Sequence, residues 1–111
     1  MNEVNYSIDQ IEQLDPITKD TIMSFFNNVV CDEIGASTMP MIDALTGEKI
    51  ENYYIQNRVV PRAFYRKDQF TWGSELVYHF DKYGVRLDPS FKEYILNYVK
   101  RTSENGTSLN H

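Results

Sequence analysis

The chain has 111 residues, 41% apolar and 14% aromatic, with a formal charge of −5 and a pI near 4.9. Such a composition excludes a disordered body and fits one domain with an aromatic-rich core. No run spans a bilayer, MNEVNYSIDQ is not a secretory leader, and Cys31 has no second cysteine to pair with, so the expected compartment is the cytoplasm.

In chain order, Ser7 followed by Gln10 forms a capping-box pattern, and Ile8, Ile11 and Leu14 give a first short helix one apolar edge. Asp15-Pro16 opens a second helix, with Asp15 as acceptor for the orphan amides and Pro16 where no donor is needed. Ile22, Phe25, Phe26, Val29 and Val30 recur at helical spacing, which carries this helix to about Glu33 with a stop near Gly35. From Met39 the period changes. Residues 39–50 read as a hairpin in which Asp43 accepts bonds from the backbone ahead and Gly47 supplies a positive φ. Tyr53 to Ile55, Val59-Val60 and Phe64-Tyr65 continue in β-rich composition, with Gln56-Asn57 as a second turn. The expectation is a three-stranded antiparallel meander over about 39–66, with Pro61 marking the last strand as an edge or bulged strand.

Trp72-Gly73-Ser74 leads into a third helix over Glu75–Tyr83, closed by Gly84, with Leu76, Val77 and Phe80 inward. Asp88-Pro89 opens a fourth, with Phe91, Tyr94, Ile95, Tyr98 and Val99 on its buried face and Lys100-Arg101 at its end. Residues 102–111 lack an apolar pattern and read as a flexible tail. The fold class is therefore α+β: a globular domain over 1–101, with a small meander flanked by two N-terminal and two C-terminal helices.

Catalytic chemistry finds little to stand on. Cys31, His79 and Asp81 are the residue types of a thiol nucleophile, its base and an orienting acid. Cys31, however, adjoins the apolar stripe of the long helix, and His79 is expected to face solvent. Neither His79 with Cys31 nor the pair Asp32-Glu33 has metal-ligand spacing, and no glycine-rich phosphate loop occurs. No enzyme activity, cofactor or metal is expected.

Charge is the more telling feature. Residues 1–51 hold ten acids against Lys19 and Lys49, whereas residues 52–111 hold nine bases against six acids. Arg58, Arg62, Arg66 and Lys67 interleave with Tyr65 and Trp72, and on a continuous strand the three arginines share a face. These six residues are the candidate binding set. The bland alternative is that the bases pair with the acidic front half of the same molecule. The functional expectation is a small regulatory protein, inhibitor or adaptor in type and bacterial or phage in style, that binds another protein. One alternative is a nucleic-acid-binding regulator using the 58–72 segment, which the acidic pI opposes. Another is an acidic nucleic-acid mimic that blocks a basic partner. No membrane partner is expected. Tyr78, Tyr83 and the last helix offer a homodimer face.

Overall fold

The computed structural model describes residues 2–51, 53–55 and 58–109, with the backbone alone for Arg58 and 104–109. The order is β1 (Asn2–Glu3), α1 (Pro16–Asn28), β2 (Asp32–Ala36), β3 (Met41–Ile42), β4 (Lys49–Ile50), β5 (Tyr54–Ile55), β6 (Arg58–Val59), β7 (Ala63–Lys67), β8 (Phe70–Gly73), α2 (Ser74–Tyr83) and α3 (Pro89–Leu109). The fold is mixed α and β, with three helices rather than four and no single meander. None of the described helices is long and apolar enough to cross a membrane.

The main sheet has four strands in the order β1-β8-β7-β2; β1 pairs parallel with β8 and the other pairs are antiparallel. Its centre is the β7–β8 hairpin. Lys67 pairs with Phe70 across a two-residue turn in which Asp68 takes a φ of 52°, a conformation Asp tolerates better than most residues. Since directly opposed residues share a face, Tyr65 with Trp72 and Lys67 with Phe70 lie on one side, and Phe64 and Arg66 on the other.

Three expectations about this region are corrected. The long helix ends at Asn28, and residues 32–36 form β2, because Val29 leaves the helix in extended conformation (φ −84°, ψ 128°) and the β-branched pair Val29-Val30 favours that exit. The expected meander splits into two separate two-stranded ribbons, β3–β4 and β5–β6, while β7 joins the larger sheet. There β7 is flanked by β2 and β8, so it is no edge strand, and Pro61 lies between strands. Trp72-Gly73-Ser74 leads into α2 as the sequence indicates, and the residues before it form β8, alternating inward Phe70 and Trp72 with Thr71 and Gly73.

The first short helix does not form. Ser7 makes its local turn (Gln10 N to Ser7 O, 3.1 Å), but the backbone beyond finds partners elsewhere: Glu12 N donates to Gly84 O and Arg86 N to Gln10 O. With three apolar positions and a costly nucleus, a short helix loses to that ladder. The Asp-Pro starts behave as expected. Asp15 caps α1 by accepting from Thr18 N at 3.1 Å, and Asp88 accepts from Ser90 N and Phe91 N. α2 closes at Gly84 with a φ of 74°, where a Cβ would be strained. α3 runs past Arg101 in helical conformation to Leu109, where an irregular tail was expected.

The helices pack on the Trp72 side of the sheet. Phe25, fully buried, is the hub: its ring lies 5.6–6.4 Å from the rings of Phe26, Trp72, Phe91, Tyr94 and Tyr98. Offset and edge-on aromatic packing of this kind adds to the area removed from water. Phe25→Ala is expected to lower unfolding free energy by about 3–5 kcal/mol in denaturant titrations. Tyr94→Ala should cost less, because Tyr94 is only half-buried.

Candidate functional site

The structure does not gather the six candidate binding residues on one face. Arg62 Nε pairs with Glu75 Oε1 at 3.1 Å, and Arg66 Nη2 with Asp32 Oδ2 at 3.3 Å. Lys67 Nζ donates to the Val30 carbonyl at 3.3 Å and stands 5.3 Å from the Tyr98 ring centroid. Trp72 is 4% exposed and belongs to the core. Tyr65 is half-buried against it, its hydroxyl pKa raised by burial and then by the nearby Glu33 carboxylate. Arg58 sits in the separate β5–β6 ribbon, and the expected Gln56-Asn57 turn falls outside the described residues.

Of the four ion pairs among the described residues, three join the acidic first half to the basic second half: Arg66 with Asp32, Lys82 with Asp43, and Lys92 with Glu12. Mutual neutralisation therefore accounts for part of the charge sorting seen in the sequence. Arg66 with Asp32, the exposed one of the three, stabilises weakly.

The β3–β4 hairpin and Tyr53 are held down by α2. Asp43 is buried at the foot of the β3–β4 hairpin. Its Oδ1 accepts from Leu45 N (2.9 Å) and Thr46 N (3.0 Å), and Oδ2 from the hydroxyls of Tyr78 (2.7 Å) and Tyr83 (2.6 Å). Gly47 completes the turn at a φ of 74°, as the sequence pattern anticipates. Burial pushes the Asp43 carboxyl up. The Tyr83 and Tyr78 hydroxyls and the Thr46 and Leu45 amides more than reverse this and hold it well below the usual carboxylate range. Tyr53, in turn, donates to Asp81 Oδ2 at 2.9 Å and meets the Tyr78 ring edge-on.

His79, expected at the surface, is fully buried, a further correction. Its Nε2 accepts from Ala44 N at 2.9 Å, which assigns the ring proton to Nδ1; that atom lies 2.7 Å from the Glu75 carbonyl and 3.0 Å from the Tyr6 hydroxyl. Tyr78 and Tyr83, proposed from sequence as a self-association face, spend their hydroxyls on Asp43. The thiol, imidazole and acid considered for nucleophilic catalysis are each bonded elsewhere: Cys31 Sγ to Val29 O, His79 to Ala44, Asp81 to Tyr53. Among the described residues no group of three or more His, Cys, Asp or Glu side chains is placed to hold a metal.

The feature missed in the sequence is a cleft of about 400 Å³ between the end of α1 and the 55–61 segment. Its floor is Tyr65, Trp72 and Val77, and one wall is Val29, Val30 and Cys31. The opposite wall is Ile55 and Val59 to Pro61, tied back by a 2.6 Å bond from Val60 N to Tyr53 O. Val30 is 87% exposed and Val59 54%. The cleft opens where α1 stops at Asn28, two residues before Val30 would have joined its apolar stripe. The signal was present in that β-branched pair, which the helical period absorbed.

Comparison with protein-family models, with curated proteins and with solved structures finds no match to this chain.

Two outcomes follow from this chemistry. Because the Asp43 carboxyl is depressed in the folded state, its contribution is complete above the ordinary carboxylate pKa of about 3.9 and is lost as pH falls through the lower folded value. Asp43→Ala, which strands two tyrosine hydroxyls, should lower stability at pH 7 by roughly 1–3 kcal/mol and flatten the acid limb of a stability–pH curve. Burial also raises the Cys31 thiol pKa, so at pH 8 a disulfide reagent should label the native protein more slowly than the unfolded chain.

Proposed function

We propose that this chain is a non-catalytic regulatory protein that acts by binding another protein, and that the cleft between α1 and residues 55–61 is where it binds. The observation that carries this reading is the pair of exposed valines, Val30 and Val59, at the rim of an aromatic-floored cleft. Exposed apolar side chains beside aromatic residues are the composition of the buried centre of protein contacts, and fully covering a valine contributes about 1.5–3 kcal/mol. Two of the residues singled out in the sequence, Tyr65 and Trp72, form part of this floor. A protein partner is favoured over nucleic acid because Arg62 and Arg66 already hold carboxylates, which a phosphate would have to displace.

The test is affinity capture from the native source, followed by titration of the purified partner against wild type and Val59→Asp by calorimetry. The variant should bind at least tenfold more weakly while its circular dichroism is unchanged. Equal affinity for the two forms would remove the cleft from the binding surface.

A further inference from the structure

We infer that the occupant of the cleft is a short acidic–apolar segment of the partner: one large apolar side chain seated over Tyr65 and Trp72, and a neighbouring carboxylate on Lys67. This rests on reading the cleft as a docking site and adds the chemistry of what docks.

The size points to a side chain. At about 400 Å³ the cleft is near the small end of ligand sites, which run roughly from 300 to 1,000 Å³, and aliphatic and aromatic side chains line most of it, with Asn27, Asn28 and Ser74 among them. The anion requirement comes from Lys67. By strand parity its side chain shares the Tyr65 face of β7, and its ammonium reaches the carbonyl of Val30, a residue of the cleft wall. Arg62, Arg66, Lys82 and Lys92 each have a carboxylate within ion-pair distance, whereas Lys67 has none among the described residues. An ammonium carries three donors, and the Val30 carbonyl takes one. That bond is exposed and the ammonium also stands over the Tyr98 ring, so it is open to a carboxylate brought in beside the cleft wall with an apolar side chain, a charge-assisted contact.

The acids on β2 limit where the carboxylate can sit. Asp32 is engaged by Arg66, and Glu33, exposed across the sheet from Tyr65, makes no ion pair among the described residues. Glu33 therefore repels an anion from the Tyr65 end and confines it to the Val30 side, next to Lys67. Removing the Glu33 charge should strengthen binding of an anionic occupant, and removing the Lys67 charge should weaken it.

Two dyes of nearly the same shape separate the terms. Anilinonaphthalene sulfonate has an apolar body and an anion; N-phenyl-1-naphthylamine has that body without the charge. Titrated into the native full chain, with circular dichroism as a check on the fold, both should brighten. Lys67→Gln should weaken the sulfonate about fivefold or more and leave the neutral dye unchanged, Glu33→Gln should tighten the sulfonate, and Val59→Asp should weaken both. A tetrapeptide, acetyl-Glu-Trp-Leu-Glu-amide, should displace the sulfonate at least fivefold better than its Gln-for-Glu counterpart. If Lys67→Gln changes nothing while Val59→Asp weakens both dyes, the carboxylate assignment is overturned and the docking site stands. If neither dye responds to Val59→Asp, the docking site falls as well. Displacement by decanoate but by neither peptide would overturn the protein segment in favour of a free amphiphilic acid.

Discussion

Asp43 carries a charge in a place almost closed to water, and the geometry of the cleft descends from how that charge is satisfied. An unpaired carboxylate so buried would protonate or unfold its surroundings. Here four donors converge on it, two amides from its own turn and two hydroxyls from α2. The turn shape and the helix position are thereby coupled: the hairpin cannot lift from α2 without exposing Asp43, and α2 cannot rotate without stranding it. Glu75, Tyr78, His79 and Asp81 extend the coupling along α2 by bonding to Ile42, Asp43, Ala44 and Tyr53 respectively. A helix with so many polar residues would ordinarily be read as half solvent-facing. This one turns its apolar edge to the core and much of its polar face to a second layer of the same chain.

That second layer is what makes a cleft rather than a continuous core. The Phe25 hub, with Trp72, Phe91 and Tyr98 around it, fills the space between α1, α3 and the sheet. Beyond the end of α1 the side facing Tyr65 and Trp72 across the cleft is formed by Ile55 and Val59 to Pro61, near the anchored Tyr53. Val60 N is bonded to Tyr53 O, which ties this wall to the anchored Tyr53, and Ile55 and Val60 pack their side chains against the core. Close packing normally eliminates such voids, so one lined by valines at the surface is a candidate for filling from outside.

How much could be read from the residues depended on whether the controlling interaction was local. The starts of α1 and α3, the end of α2 at Gly84 and the Asp43–Gly47 turn were legible, since each rests on a cap or φ requirement confined to a few positions. The β-rich middle was recognised as composition but not as topology. Strand partners are chosen by contacts far apart in sequence, so β7 finding β2 and β8 leaves no local mark. β2 was missed because Val29 and Val30 fit a helical period as well as an extended one, and only the neighbouring strand decides between them. The burial of His79 was hidden for the same reason: its acceptor role depends on an amide 35 residues away. Of the candidate binding residues, Tyr65 and Trp72 drew attention as aromatics interleaved with the basic run; the fold places both in the lining of the cleft.

The sorting of charge along the chain takes on a narrower meaning once the pairs are located. Had the acids and bases stayed apart in space, the molecule would present two opposed electrostatic faces and steer partners of either sign. Instead Asp32, Asp43 and Glu12 each take a base from the second half. These pairs lie on different elements, so each reduces the field locally. The field that matters is then short in range, within about 8–10 Å at physiological salt. Over that distance a docking partner of the proposed kind would sense first the charges nearest the cleft, Lys67 beside Val30 and Glu33 across from Tyr65.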